Sequence, residues 1–201
     1  MTKFLRRYTN LLKGQKITLL DPESWEDKND SHFMSLYRKK KSLKSVLALC
    51  FTQASETFHH WRVFADGTSG ICIQYKRLEL IDALSKQSGV KCDAVRYLKL
   101  TDLKNRKLKT DQLPFRKRFP YGDESEFRVV YESKNAAKKF LDISIPLSSV
   151  DRITLSPWLP VALRGHVEST IRAIKGCDSL KIVRSTLISN EQWKNLGENA
   201  R

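Results

Sequence analysis

Glycine-rich phosphate loops are missing from this chain of 201 residues: neither G-x-G-x-x-G nor the P-loop pattern occurs, which argues against Rossmann and Walker nucleotide chemistry. Long hydrophobic runs are missing too. The longest clean apolar run, Val46 to Phe51, is far too short to span a bilayer. Met1 to Arg7 carries positive charge without a following apolar stretch, so a soluble cytoplasmic protein with no membrane partner is expected. Cysteine is sparse: Cys50, Cys72, Cys92 and Cys177 are widely spaced and form no C-x-x-C pair. That pattern predicts free thiols in a reducing compartment and no zinc or other metal site. Acidic residues are in short supply, 22 against 37 Lys and Arg, for a formal charge of +15 and a pI near 9.8. Nucleic acid or another polyanion will be attracted at low salt whether or not binding it is the function.

What is present suits a single domain, 1–201, of fold class α+β or α/β: a mixed central sheet with flanking helices and a C-terminal strand-helix-strand unit. Lys16–Leu20 reads as a strand stopped by Asp21-Pro22, after which Ser24 is expected to cap a helix running through Phe33, Met34 and Tyr37 to the basic end Arg38–Lys41. Val46–Phe51, apolar throughout, predicts a central strand covered on both faces. Thr57–Phe64 predicts a helical turn carrying Trp61, followed by a turn at 66–70, a strand Ile71–Tyr75 and a helix Leu78–Leu84. Val95–Leu100 is strand-like. The stretch 99–118 holds eight Lys or Arg against two Asp and is broken by Pro114, so 101–120 is expected to be a basic surface insertion. Phe140–Ile145 and Val150–Leu155 read as strands. The helix Pro160–Lys175, with Leu163, Val167, Ile171 and Ile174 on one side and Gly176 beyond its end, leads to strand Leu180–Arg184 by a right-handed parallel crossover.

The candidate site is the segment 121–131, where acidic residues crowd a strand mouth in a basic protein. If both are extended, Glu124 and Glu126 project to the same side of the sheet and repel, which costs stability unless cations, solvent or catalysis account for it. The alternative is that they pair with Arg116, Lys117, Arg118 or Arg128.

Several blocks taken together resemble the bacterial family catalogued as domain of unknown function 2971. They are Arg6-Arg7-Tyr8-Thr9 with Leu11-Leu12, Ile17 to Pro22 leading to Trp25, Asn29 and Asp30, then Leu49-Cys50-Phe51, Trp61 ahead of Gly70 to Ile73, and Glu124-Ser125-Glu126-Phe127-Arg128. The chain departs from that family's usual pattern where Asn29-Asp30 runs into Ser31-His32-Phe33. The resemblance implies a fold more than an activity. A fainter likeness, in the order of a basic-aromatic element, a middle aromatic and a Glu-x-Glu strand, is to the arginine-class ADP-ribosyltransferases, although their Ser-Thr-Ser strand is absent. It implies an enzyme using NAD, in a defence or toxin setting, with Glu126 and Glu124 catalytic and Arg6, Arg7, Tyr8 and Trp61 holding the dinucleotide. Breaking the nicotinamide bond builds positive charge on the ribose, which a fixed carboxylate such as Glu126 stabilises. Arg6 or Arg7 would clamp the diphosphate, Tyr8 or Trp61 would stack on nicotinamide, and Glu124 would orient the acceptor.

Two other readings compete: a basic protein associated with nucleic acid, and a non-catalytic interaction module in which the glutamates are structural. The basic runs 38–44 and 104–118 have few interleaved aromatics beyond Phe115 and Phe119, so they do not signal single-strand stacking. His59 and His60 are expected to face solvent beside a packed Trp61, and Asp27, Asp30 and His32 match no defined metal loop. Trp158 and Trp193 are expected to be core or lid aromatics.

Overall fold

Residues 1–5, 9–65, 67–103 and 107–200 are described by a computed structural model. The element order is β1 (Thr2–Leu5), α1 (Thr9–Gly14), β2 (Lys16–Leu20), α2 (Lys28–Lys40), β3 (Ser45–Thr52), the single turn α3 (Phe58–His60), β4 (Ile71–Tyr75), α4 (Arg77–Ser85), β5 (Val90–Ala94), β6 (Arg96–Leu98), β7 (Arg116–Arg118), β8 (Glu126–Ser133), β9 (Phe140–Ser144), β10 (Val150–Leu155), α5 (Val161–Arg172), β11 (Lys181–Arg184) and α6 (Glu191–Glu198). Helices thus flank a mixed sheet, as the apolar patterning predicts.

Within that sheet β3 pairs along its whole length with β8, from Ser45 opposite Ser133 to Thr52 opposite Glu126. Its other edge is shared: Thr52 meets Thr2 of β1 and Ala48 meets Leu20 of β2. The sheet continues through β1 to β4, β10 and β11 on one branch and through β2 to β9 on the other, with β5 on the free side of β8. Among the described residues only β10 and β11 are parallel in it, and α5 lies between them in the chain, as expected of a parallel crossover. Gly176, with φ of +84°, lies in the turn that leaves α5.

Alternation divides the side chains between two faces. Leu47, Phe51, Ile71, Ile73, Phe127, Val129, Tyr131, Ile17 and Leu19 join one large core with Leu80 and Leu84 of α4 and Ile171 of α5. Val46, Ala48 and Val130 face the other way, against Met34 and Tyr37 of α2 and against Leu113 and Phe115. Cys72 likewise turns away from its neighbours to pack against Trp61 and Ala65.

Three local expectations change. Asp27, not Ser24, caps α2, its carboxylate accepting from the amides of Asn29 and Asp30, while Asp21 caps a separate short 3-10 turn over Pro22–Ser24. Within the expected basic insertion 101–120, Leu113, Pro114 and Phe115 are buried, Leu113 and Phe115 packing with Met34 and Tyr37 of α2. Strand β5 escaped sequence reading, since Val90, Cys92 and Ala94 form only a weak alternating stripe between Lys91 and Asp93. Among the described residues, no helix is long and apolar enough to cross a membrane.

Candidate functional site

The strand mouth does not have the extended geometry its sequence suggests. Glu124 ends a 3-10 turn over Phe119–Glu124, and Ser125 takes a left-handed conformation, φ 42°, before β8 begins at Glu126. The two carboxylates nevertheless meet, because both reach the Lys117 ammonium, Glu124 Oε2 at 2.6 Å and Glu126 Oε2 at 3.4 Å.

Beyond Lys117 the cluster is sealed. Arg128, two residues along β8 and therefore on the same face as Glu126, is fully buried. Its Nε donates to Glu126 Oε1 at 2.6 Å and one terminal nitrogen donates to Oε2 at 2.9 Å. The guanidinium also forks onto Asp30 of α2 at 2.8 and 2.7 Å and donates to the Pro114 carbonyl at 2.8 Å. The Trp25 ring packs on it at 4.9 Å and the Tyr121 ring on Lys117 at 4.6 Å. Parallel pairing of β6 and β7 sets Tyr97 beside Lys117, and the Tyr97 hydroxyl accepts from the Glu126 amide at 2.8 Å. Lys3 lies close enough to Glu126 for their charges to interact, although burial lowers the Lys3 amine, which donates to the Cys50 carbonyl at 2.7 Å.

Burial alone would raise the Glu126 carboxyl, but Arg128 and Lys117 outweigh it and hold the group down to about 2. Glu124 shifts the other way, raised by burial that its single contact with Lys117 does not offset. Burial lowers Lys117 less than Glu126 and Glu124 raise it, so it stays charged. Glu126, 3% exposed and hydrogen-bonded at both oxygens, is closed to an incoming substrate without release of Arg128. Glu124, its side chain 15% exposed, lies at the rim. What the arrangement does by itself is lock α2, β7 and β8 together through charge-assisted bonds.

Of the other sequence-derived candidates, Arg6, Arg7 and Tyr8 lie outside the described residues. Trp61 is fully buried, donates its indole N–H to Glu56 at 2.7 Å and packs on Ala65 and Cys72, leaving no face for nicotinamide to stack on. His60, expected in solvent, is buried with Nε2 3.2 Å from the Asp123 carbonyl oxygen. Among the described residues no group of His, Cys, Asp or Glu is arranged to hold a metal ion. The Asp30–Arg128 fork joins residues 98 positions apart, and Tyr97 sits in a three-residue strand, so neither carried a local signal. No family model, curated protein or solved structure matches the chain.

Proposed function

We propose that this protein binds a nucleic acid through an exposed lysine face at the far end of β3 and β8. The observation that carries this reading is the meeting of two basic segments that are distant in sequence. The Lys44 amide donates to the Ser133 carbonyl at 2.8 Å, the Ser45 hydroxyl donates to Ala136 at 2.6 Å, and the Lys138 amide donates back to Ser45 at 2.6 Å. Those bonds bring Lys39, Lys40 and Lys44 to the same end as Lys134, Lys138 and Lys139, all of them exposed. Among the described residues none of the six is paired with a carboxylate; the nearby acids Glu132 and Asp111 are taken by Lys41 and Lys91. Lys44 donates to the Asn135 carbonyl at 3.5 Å and Lys138 lies over the Tyr131 ring at 5.4 Å, but neither contact neutralises the charge, so the face can displace counterions from phosphates.

This reading is preferred to NAD-dependent ADP-ribosyl transfer because Glu126, the carboxylate which that chemistry needs, is already neutralised by two cations. Fluorescence anisotropy with a labelled 20-mer duplex across 50 to 300 mM NaCl tests it. The logarithm of the binding constant should fall linearly with the logarithm of salt, and the Lys134→Glu/Lys138→Glu/Lys139→Glu variant should reduce the slope by about 3, near 0.9 per lost phosphate contact. Absent binding, or binding that salt does not weaken, overturns the reading. Labelling by NAD that Glu126→Gln abolishes would restore the transferase.

A further inference from the structure

A second surface, built from residues outside the lysine face, combines aromatic rings with a guanidinium that is paired with no carboxylate among the described residues. It is built on a five-residue π-helical turn, Trp61–Ala65, that continues α3, and π turns are rare and concentrate at functional sites. Trp61 points inward from that turn, while Arg62, Val63 and Phe64 are exposed. The Arg62 guanidinium lies 4.4 Å from the Trp158 ring centre and 5.3 Å from that of Phe58. Phe58, 53% exposed, meets Trp158 edge-on at 5.6 Å and 77°. Among the described residues no carboxylate accepts from Arg62; the nearby Glu56 is engaged by the Trp61 indole.

The far wall of this surface is held in place. Ser156 Oγ accepts from the Trp158 amide at 3.1 Å and donates to the Gly67 carbonyl at 2.8 Å. Arg184 donates to the carbonyls of Pro157 at 2.5 Å and Leu159 at 2.8 Å, bracketing Trp158. On the other wall, Gly70 lies so close to the π turn that a Cβ there would stand 2.4 Å from the Ala65 carbonyl oxygen. Rings and guanidinium are therefore preorganised, so a ligand loses little freedom in ordering them.

Resting on the nucleic-acid reading above, we infer that Phe58, Arg62 and Trp158 form a stacking site for an unpaired base of a single-stranded nucleic acid. Trp158 covers one face of the guanidinium. Its other face receives the base, with Phe58 beside it and the guanidinium edge free to donate to a phosphate. Charge selects this occupant: a cationic plane that no carboxylate among the described residues neutralises, in a chain of net charge +15, suits an anionic ligand with a π-face.

The test compares four proteins, wild type, Phe58→Ala/Arg62→Ala, Arg62→Lys and the triple lysine variant, on three probes at one salt concentration: a dT 20-mer, the same strand with abasic sites, and a 20-mer duplex. Circular dichroism confirms the fold of each. Phe58→Ala/Arg62→Ala should lose about 10- to 100-fold affinity for the dT strand, by the usual cost of one stacked base, and no more than about threefold for the duplex. Wild type should bind the abasic strand about as weakly as this variant binds dT. Arg62→Lys, which keeps the charge but not the plane, should also lose affinity for dT alone. An abasic strand bound as tightly as dT, or equal losses on all three probes, overturns the stacking site. If the lysine variant loses duplex binding while Phe58→Ala/Arg62→Ala changes nothing, the stacking site fails and the lysine face stands. If wild type binds no probe, both fail.

Discussion

The two ends of β8 treat the same residue type in opposite ways. At its start Glu126 is sealed under α2 with Arg128, whereas near its end Glu132 is only half-buried, accepting from the Tyr37 hydroxyl and from Lys91 at 2.5 Å, with Lys41 at 3.9 Å. The first cluster buries its central pair and fixes three segments; the second is partly screened by solvent and has exposed lysines around it. Burial, more than the number of charge pairs, separates an architectural contact from an adjustable one.

Arg128→Met should break this comparison most visibly. It leaves Asp30 and Glu126 buried with only Lys117, 3.7 and 3.4 Å away, to offset them, and urea denaturation should show a loss of about 3 to 5 kcal/mol; a loss under about 1 kcal/mol would mean that the strand mouth is as screened as the far end. Acid titration sharpens the contrast. Glu126 titrates near 2 when folded against an ordinary 4.5, so its contribution is complete above about 4.5 and disappears as pH falls toward 2, on the order of 3 kcal/mol. Thermal melts of Glu126→Gln should lack that part of the acid limb. Glu132→Gln should cost only about 1 kcal/mol, shrinking further in 0.5 M salt; a salt-independent cost as large as that of Arg128→Met would erase the distinction between the two ends.

Much of the scaffold was legible because its signals are local. The unbroken apolar stretch of β3, the alternation of β8 and the spacing of Val167 and Ile171 in α5 each reflect burial on a known face, and all three recur in the structure. Capping was less legible: Ser24 and Asp27 are both good cap residues, and only the short turn after Pro22 decides between them. The glutamate pair was found and its geometry mistaken, since the left-handed Ser125 breaks the period of two on which the same-side argument depends. Lys117 and Arg128 were among the foreseen partners, but Asp30 and Tyr97 come from elements whose approach is set by the packing of Leu113 and Phe115 on α2 and by the β6–β7 pairing. The aromatic site is split between residues 58–62 and 158, so no sequence window contains it.

Gly70 carries a consequence for how such a surface can change over time. On the proposed stacking role, exchanging Phe58 or Trp158 for another flat side chain would alter the preference for one base over another. Position 70 has no such freedom, because the smallest addition there strikes a carbonyl oxygen rather than a yielding side chain. On that proposal the rim of the platform can vary while its seat stays hydrogen-sized.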